Sequence, residues 1–326
     1  MQKKMNVEDL VEGQNVKDKF AVRDKYSPKE YARGWFFRLK VGDSTGDIPM
    51  VYWGGSDKRM VEALYSNIKV GDVLEVDGAV TTYRGDLQIS VSPDEFHKLR
   101  RTDMAAVDPS NYMPTSKRNV DEMFEELMEY GAEIQDEGLY SLVMCFLEDD
   151  IFSRKFKQSP YSKYYNNNYL GGLLEHTLDD VRLSLSALEI YPELDRDLLL
   201  TTAIVHDFGK VYEYDHFTSI DLTTESRLIG HTVLCERVVR DRSKDVNGLT
   251  EEQMLKLSHI ILSHHGDYEW GSARSPRMEE AVALHHIDLF NVRMRGFIQA
   301  KEETDEGDEE MIYVSKEGVQ RPIFKG

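Results

Sequence analysis

The largely apolar run Leu198-Leu199-Leu200-Thr201-Thr202-Ala203-Ile204-Val205 ends abruptly in His206-Asp207. A segment without a polar face belongs in a protein interior, so a buried helix must deliver an imidazole and a carboxylate side by side. Buried groups of that kind need partners. The rest of the chain offers them in order: His176, then His206-Asp207, His231, His264-His265 and Asp288. Each sits at or near the end of a segment with helical spacing, which is how helices distant in sequence converge on one site. Nitrogen and oxygen donors without thiolate suit Mn, Fe, Co, Ni or Zn. A carboxylate can bridge two ions, and this set is too large for one four-coordinate structural site. The expectation is a catalytic centre with two divalent cations, manganese first among them and magnesium also admissible.

The organisation is that of a multidomain α and β protein. Residues 10–95 read as short strands with one helix between them. Arg33 to Val41 and Asp47 to Trp53 form two strands around a Gly-rich turn, and Lys58 to Asn67 has helical spacing. Val73 to Thr82 and Leu87 to Val91 are two further strands, and the count of five takes in one more ahead of Arg33. Five strands with a helix between the third and fourth predict an N-terminal OB-like β-barrel, assigned to residues 1–100. Residues 101–116, with Pro109 and Pro114, read as a linker. An all-α domain over 117–300 follows, with helices expected at 119–131, 136–149, 171–190, 194–208, 226–242, 250–265 and 276–300. Residues 301–326 form an acidic C-terminal tail, whose run Glu302 to Glu310 reads as a solvated loop and whose apolar Ile312, Val314, Ile323 and Phe324 would let its end dock on the body.

Charge and composition remove several function classes. The formal charge of −19 argues against a polyanionic partner, yet residues 1–100 carry 16 basic and 16 acidic side chains, so the excess lies wholly after residue 100. No run of about 18 apolar residues is present, which argues against a membrane span. Met1 to Asp9 lacks the apolar core of a secretory leader. Cys145 and Cys235 each lie in an apolar helical segment and read as free thiols of a cytoplasmic protein. There is no G-x-x-x-x-G-K-[ST] loop for ATP hydrolysis and no G-x-S-x-G elbow for acyl transfer.

The motifs GGLLEHT (171–177), HDFGK (206–210), GHT (230–232), SHHG (263–266) and HHIDLFN (285–291) together resemble the HD-domain phosphohydrolases. With an OB-like domain ahead of them, the chain resembles the YhaM-type 3′→5′ exoribonucleases. That resemblance implies one ion held by His176, His206, Asp207 and Asp288, and a second sharing Asp207 with His231 and with His264, His265 or both. It implies RNA hydrolysis from the 3′ end to nucleoside 5′-monophosphates by a metal-activated water. Lys210, close to His206 in sequence, is placed to hold a non-bridging phosphate oxygen. Other members of the superfamily leave a cyclic dinucleotide or a nucleotide open as the substrate. A nucleic-acid-binding module with a structural metal site is the reading from a different class.

Two stretches offer contacts for a polymer. Arg154 to Tyr169 interleaves Arg154, Lys155, Lys157 and Lys163 with Phe156, Tyr161, Tyr164, Tyr165 and Tyr169, and leads toward His176. Cations track phosphates and rings stack on unpaired bases. Arg274 and Arg277 are weaker candidates for the same path. In the barrel, Trp35, Phe37, Tyr52 and Trp53 are expected to form a stacking platform beside Arg33, Arg38 and Lys40, with Phe36 turned inward. The partner is single-stranded RNA, with single-stranded DNA as the alternative polymer; a homo-oligomer is compatible with this organisation. His259 and His285 read as core residues, and His97 and His216 match no motif.

Overall fold

The computed structural model describes residues 3–92, 99–103, 107–303, 311–314 and 321–324. The chain divides into two compact units, Met1–Thr115 with His216–Ser219 and Ser116–Asp215 with Ile220–Gly326.

The first unit is built on β1 (Asn15–Tyr31), β2 (Gly34–Asp43), β3 (Gly46–Trp53), β4 (Val73–Tyr83), β5 (Asp86–Val91) and β6 (Arg100–Arg101). They form one six-stranded sheet in the order β1-β2-β3-β5-β4-β6. β1 spans 17 residues and is shared: its first half pairs with β4, its second half with β2. β3 and β5 run parallel. Helix α1 (Lys58–Asn67), capped by the Asp57 carboxylate on the Met60 N–H, connects β3 to β4. The arrangement is OB-like, as expected, but it has six strands in place of the expected five, the short β6 being added beside β4. The length of β1 was hidden because its register shifts between Val22 and Asp24 and again between Tyr26 and Lys29, around Pro28. Bulges interrupt strict alternation, and they are where a strand tolerates proline. In the stretch read as a linker, Val107, Tyr112 and Met113 are buried.

Register corrects the reading of the aromatic platform. Phe37 pairs with Tyr52 across β2 and β3, and Phe36 pairs with Trp53. Phe37 is 0% and Tyr52 7% exposed, stacked on each other in the core at a centroid distance of 5.0 Å. Phe37 and Tyr52 are therefore core residues, and Phe36 does not point inward. A shift of one residue exchanges the faces of a strand, and Trp35-Phe36-Phe37 gives hydropathy nothing by which to choose.

The second unit is helical: α2 (Val120–Ala132), α3 (Glu137–Leu147), α4 (Asp150–Gln158), α5 (Gly172–Ile190), α6 (Arg196–Val205), α7 (Thr224–Ile229), α8 (His231–Ser243), α9 (Glu251–Ser263) and α10 (Glu279–Glu303). Carboxylate, amide or hydroxyl caps start most of them. The Asn119 side chain accepts from the Asp121 and Glu122 N–H groups, and Asp195 accepts from Leu198. Two expected helices are corrected. The segment 194–208 ends at Val205 and tightens into a 3₁₀ turn, Phe208–Tyr212. The segment 226–242 is two helices, broken at Gly230, whose φ of +75° favours glycine. Helix α4 was not expected: Phe152 and Phe156 pack on Phe208, which places part of the basic-aromatic stretch in the core. After α10, Met311–Val314 and Arg321–Phe324 pair as β7 and β8. Residues 304–310 of the acidic run, and His97, lie outside the described residues.

Candidate metal centre

Five helices and the 3₁₀ turn after α6 meet at one place, most of them by their ends; α10 is the exception to the expected pattern, because Asp288 lies well inside Glu279–Glu303. α5 carries His176 and, one turn on, Asp180. His206 caps α6 and Asp207 opens the 3₁₀ turn that holds Lys210. His231 begins α8, His264 caps α9 with His265 following, and α10 supplies Asp288. Gly209 makes the approach of the turn to α8 feasible: a Cβ there would lie 2.3 Å from the His231 carbonyl oxygen and 2.5 Å from the Cys235 nitrogen.

The donors fall into two groups with Asp207 between them. His176, Asp180, His206 and Asp288 place one donor atom each within 4.8 Å of one another, and so do His231, His264 and His265. Asp207 Oδ2 lies 3.4 Å from His206 Nε2 and 3.9 Å from His176 Nε2. Its Oδ1 lies 3.7 Å from His231 Nε2 and 3.8 Å from His264 Nε2. Each oxygen of one carboxylate thus faces a different group.

Four imidazoles are held by their Nδ1 atoms, leaving Nε2 toward the centre. Nδ1 of His206 lies 3.1 Å from the Ala203 carbonyl, and that of His264 lies 2.7 Å from the Ile261 carbonyl. For His231 the partner is Glu213 Oε1 at 3.1 Å, and for His265 the Trp270 carbonyl at 3.1 Å. An acceptor at Nδ1 puts the proton there and the lone pair at Nε2, as a metal-ligating histidine requires. Both oxygens of Asp207, Oδ2 of Asp180, and Nε2 of His176, His206 and His264 are buried without a hydrogen-bond partner. So many orphaned polar atoms in one spot would be costly alone; a divalent cation would satisfy them together. The donor set fits such an ion.

Electrostatics follow from burial and crowding. Burial opposes ionisation of Asp207, but Lys210 and His206 hold its carboxyl well below the usual carboxylate range. Burial likewise opposes the Lys210 ammonium, and Asp207 and Glu213 more than offset it, keeping the lysine charged. Lys210 is no surface residue: it is 6% exposed, its Nζ 3.5 Å from Glu213 Oε2 and 4.5 Å from the Tyr161 ring centroid. Burial and the neighbouring His265 push His264 well below the usual imidazole range, which keeps it neutral.

Residues 173–292 match the family model of the HD domain. Over 89% of its length the chain is 30% identical to the 3′-5′ exoribonuclease YhaM of Shouchella clausii, 88% of which is covered. The chain belongs to the YhaM family. The YhaM proteins of Geobacillus sp. and Listeria monocytogenes serotype 4b are 30% and 29% identical, with 86% and 90% of their lengths covered.

In this YhaM-family chain, the structure gathers all seven expected donors. It also adds four residues that sequence reasoning missed: Asp180, Glu213, Tyr161 in a metal-site role, and Asn291. Tyr161 stacks on His176 with centroids 3.8 Å apart, and its hydroxyl donates to Asp288 at 3.4 Å. Asn291 donates to the His176 carbonyl at 3.2 Å and to Asp180 Oδ1 at 2.7 Å. Asp180 lies four residues after His176 and Glu213 three after Lys210, so helical spacing carried a signal for both. His285 stays out of the cluster, its Nδ1 2.7 Å from the His264 carbonyl.

The expected nucleic-acid contacts are dispersed. Arg154, Lys155, Tyr164 and Arg274 are exposed, and Lys155 lies over the Tyr212 ring at 5.7 Å. Lys163 is ion-paired with Asp221, and Tyr165 packs against Gly296 of α10. On the sheet, Trp35 leans on the core under Lys58. The outward aromatics are Tyr31, Phe36 and Trp53, with centroids 4.9–5.8 Å apart, and Arg38 lies between Phe36 and Tyr83 at 5.6 and 5.5 Å.

Proposed function

We propose that this chain is a metal-dependent 3′→5′ exoribonuclease that shortens single-stranded RNA to nucleoside 5′-monophosphates. The observation that carries the reading is Asp207, buried, anionic, unpartnered at both oxygens and facing one donor group with each. In this reading His176, His206, Asp207 and Asp288 hold one cation, and Asp207, His231, His264 and His265 hold another, manganese first. A pair of divalent cations, when bound, lowers the pKa of a water and offsets charge on the reacting phosphate. The protein's own contribution is positional. Nδ1 hydrogen bonds aim four imidazoles before any ion arrives, so little reorganisation is left. Lys210 brings a buried positive charge beside Asp207, where it can pair with a non-bridging phosphate oxygen. The direction of digestion is taken from the activity named for the relatives.

Tyr31, Phe36 and Trp53, with Arg38, Tyr83 and Arg84, form the face we assign to unstacked bases and phosphates. Rings and guanidinium groups accept any base without pairing. The two free thiols and the absence, among the described residues, of a helix long and apolar enough to cross a membrane are in keeping with a cytoplasmic enzyme. End-labelled RNA with Mn²⁺ tests the reading. A label at the 3′ end should appear at once as a mononucleotide, and a 5′ label as a descending ladder. Activity on cyclic dinucleotides alone would replace it with the small-substrate reading.

A further inference from the structure

Asp180 belongs to none of the motifs that mark the centre, yet it is 0% exposed and lies in the middle of the first donor group. Asn291 occupies its Oδ1 at 2.7 Å, which fixes the carboxylate. That leaves Oδ2 turned toward the donors, 3.0 Å from His176 Nε2 and 3.6 Å from His206 Nε2, without a hydrogen-bond partner. His176 Nε2 also faces Asp288 Oδ1 at 3.3 Å and is likewise without a hydrogen-bond partner. An anionic oxygen this deep is tolerated when it meets positive charge. The nearby imidazole nitrogens converge on the same point and are themselves unsatisfied.

We propose that Asp180 is a further ligand of the cation held by His176, His206, Asp207 and Asp288. This rests on the metal-dependent reading given above. The ion then meets three carboxylates in place of two. A carboxylate-rich set favours hard cations such as Mn²⁺ and Mg²⁺ over Zn²⁺. Asp180 thereby acts on which metal the site selects as well as on how tightly it is held.

The test uses the full chain, stripped with a chelator and titrated separately with Mn²⁺ and Zn²⁺, with bound metal counted afterwards. The unaltered protein should take two ions. Asp180→Asn, close to isosteric and able to keep the Asn291 hydrogen bond, should bind Mn²⁺ at the first site at least about tenfold more weakly. Zn²⁺ should lose less, and the ion of the His231–His264–His265 group should be retained. Unchanged or tighter Mn²⁺ binding in the variant would mean that Asp180 only competes for His176 Nε2, and would overturn the proposal. If the variant does not fold, anomalous diffraction at the manganese edge on the unaltered chain decides. Oδ2 within roughly 2.0–2.6 Å of the ion supports ligation, and a separation above about 3 Å contradicts it. Two ions bound with Asp180 uninvolved would sink this proposal alone, whereas an unaltered chain that takes no metal would remove the reading beneath it as well.

Discussion

Glu213 Oε1 lies 3.1 Å from His231 Nδ1, and the carboxylate's other oxygen lies 3.5 Å from Lys210 Nζ. One buried acid thus orients an imidazole of the second donor group and anchors the ammonium next to Asp207. Lys210 and His231 hold the Glu213 carboxyl at about 2 against the cost of burial. Glu213→Gln removes the charge but keeps the shape. We expect its second ion to bind about 10–100-fold more weakly, read by titration of the stripped protein. Unchanged affinity would show that the His231 ring is held by packing alone.

Lys210→Met should leave both ions in place and lower kcat, by about 10²–10³-fold if it stabilises charge that develops during reaction. The informative readout is the split between parameters. A fall in kcat with metal content and KM nearly constant supports the role, and a rise in KM alone would reduce Lys210 to a binding contact.

Metal binding should become tighter as pH rises. Burial disfavours the charged His176 imidazolium, but Asp180 and Asp288 outweigh this and push its pKa up to about 10. Because the folded value lies above the unfolded one, the associated stability of the metal-free protein is fully present below about 6.5. It is lost as pH climbs through about 10. An entering cation must displace that proton. Calorimetric titrations in buffers of different ionisation enthalpy at pH 7.5 should show proton release on Mn²⁺ binding; none would contradict the protonated, metal-free cluster.

The two faces of β2 and β3 predict opposite phenotypes. Phe36→Ala and Trp53→Ala should weaken single-stranded RNA binding, each lost stack costing roughly 1–3 kcal/mol, with little change in Tm. Phe37→Ala should destabilise the fold by about 3–5 kcal/mol. Fluorescence anisotropy and thermal melts separate them, and a Phe36→Ala variant that binds RNA like the unaltered chain would remove the stacking assignment.

These contrasts show where sequence reading stopped. His206-Asp207 at the end of an apolar run was legible because burial of such a pair admits few explanations. The helix carrying His176 was legible from periodicity, and so was the OB-like order of strands and helix. The facing of Phe36 and Phe37 was not, because consecutive aromatics erase the alternation that sets register. Asp180 and Glu213 were missed for another reason. Acids are common in a chain with 59 of them, so their spacing from His176 and Lys210 was a weak signal, and the packing of α5 and the 3₁₀ turn is what separates these two from solvated ones. Gly230 marked the start of α8 only once its positive φ was seen.

The central claim is that Asp207 joins two cation sites, and the metal content of Asp207→Asn tests it most directly. Counted by mass spectrometry beside the unaltered protein, the variant should fall from two ions per chain to one or none and lose RNA hydrolysis. An Asp207→Asn protein that keeps two ions and digests RNA at the original rate would contradict it.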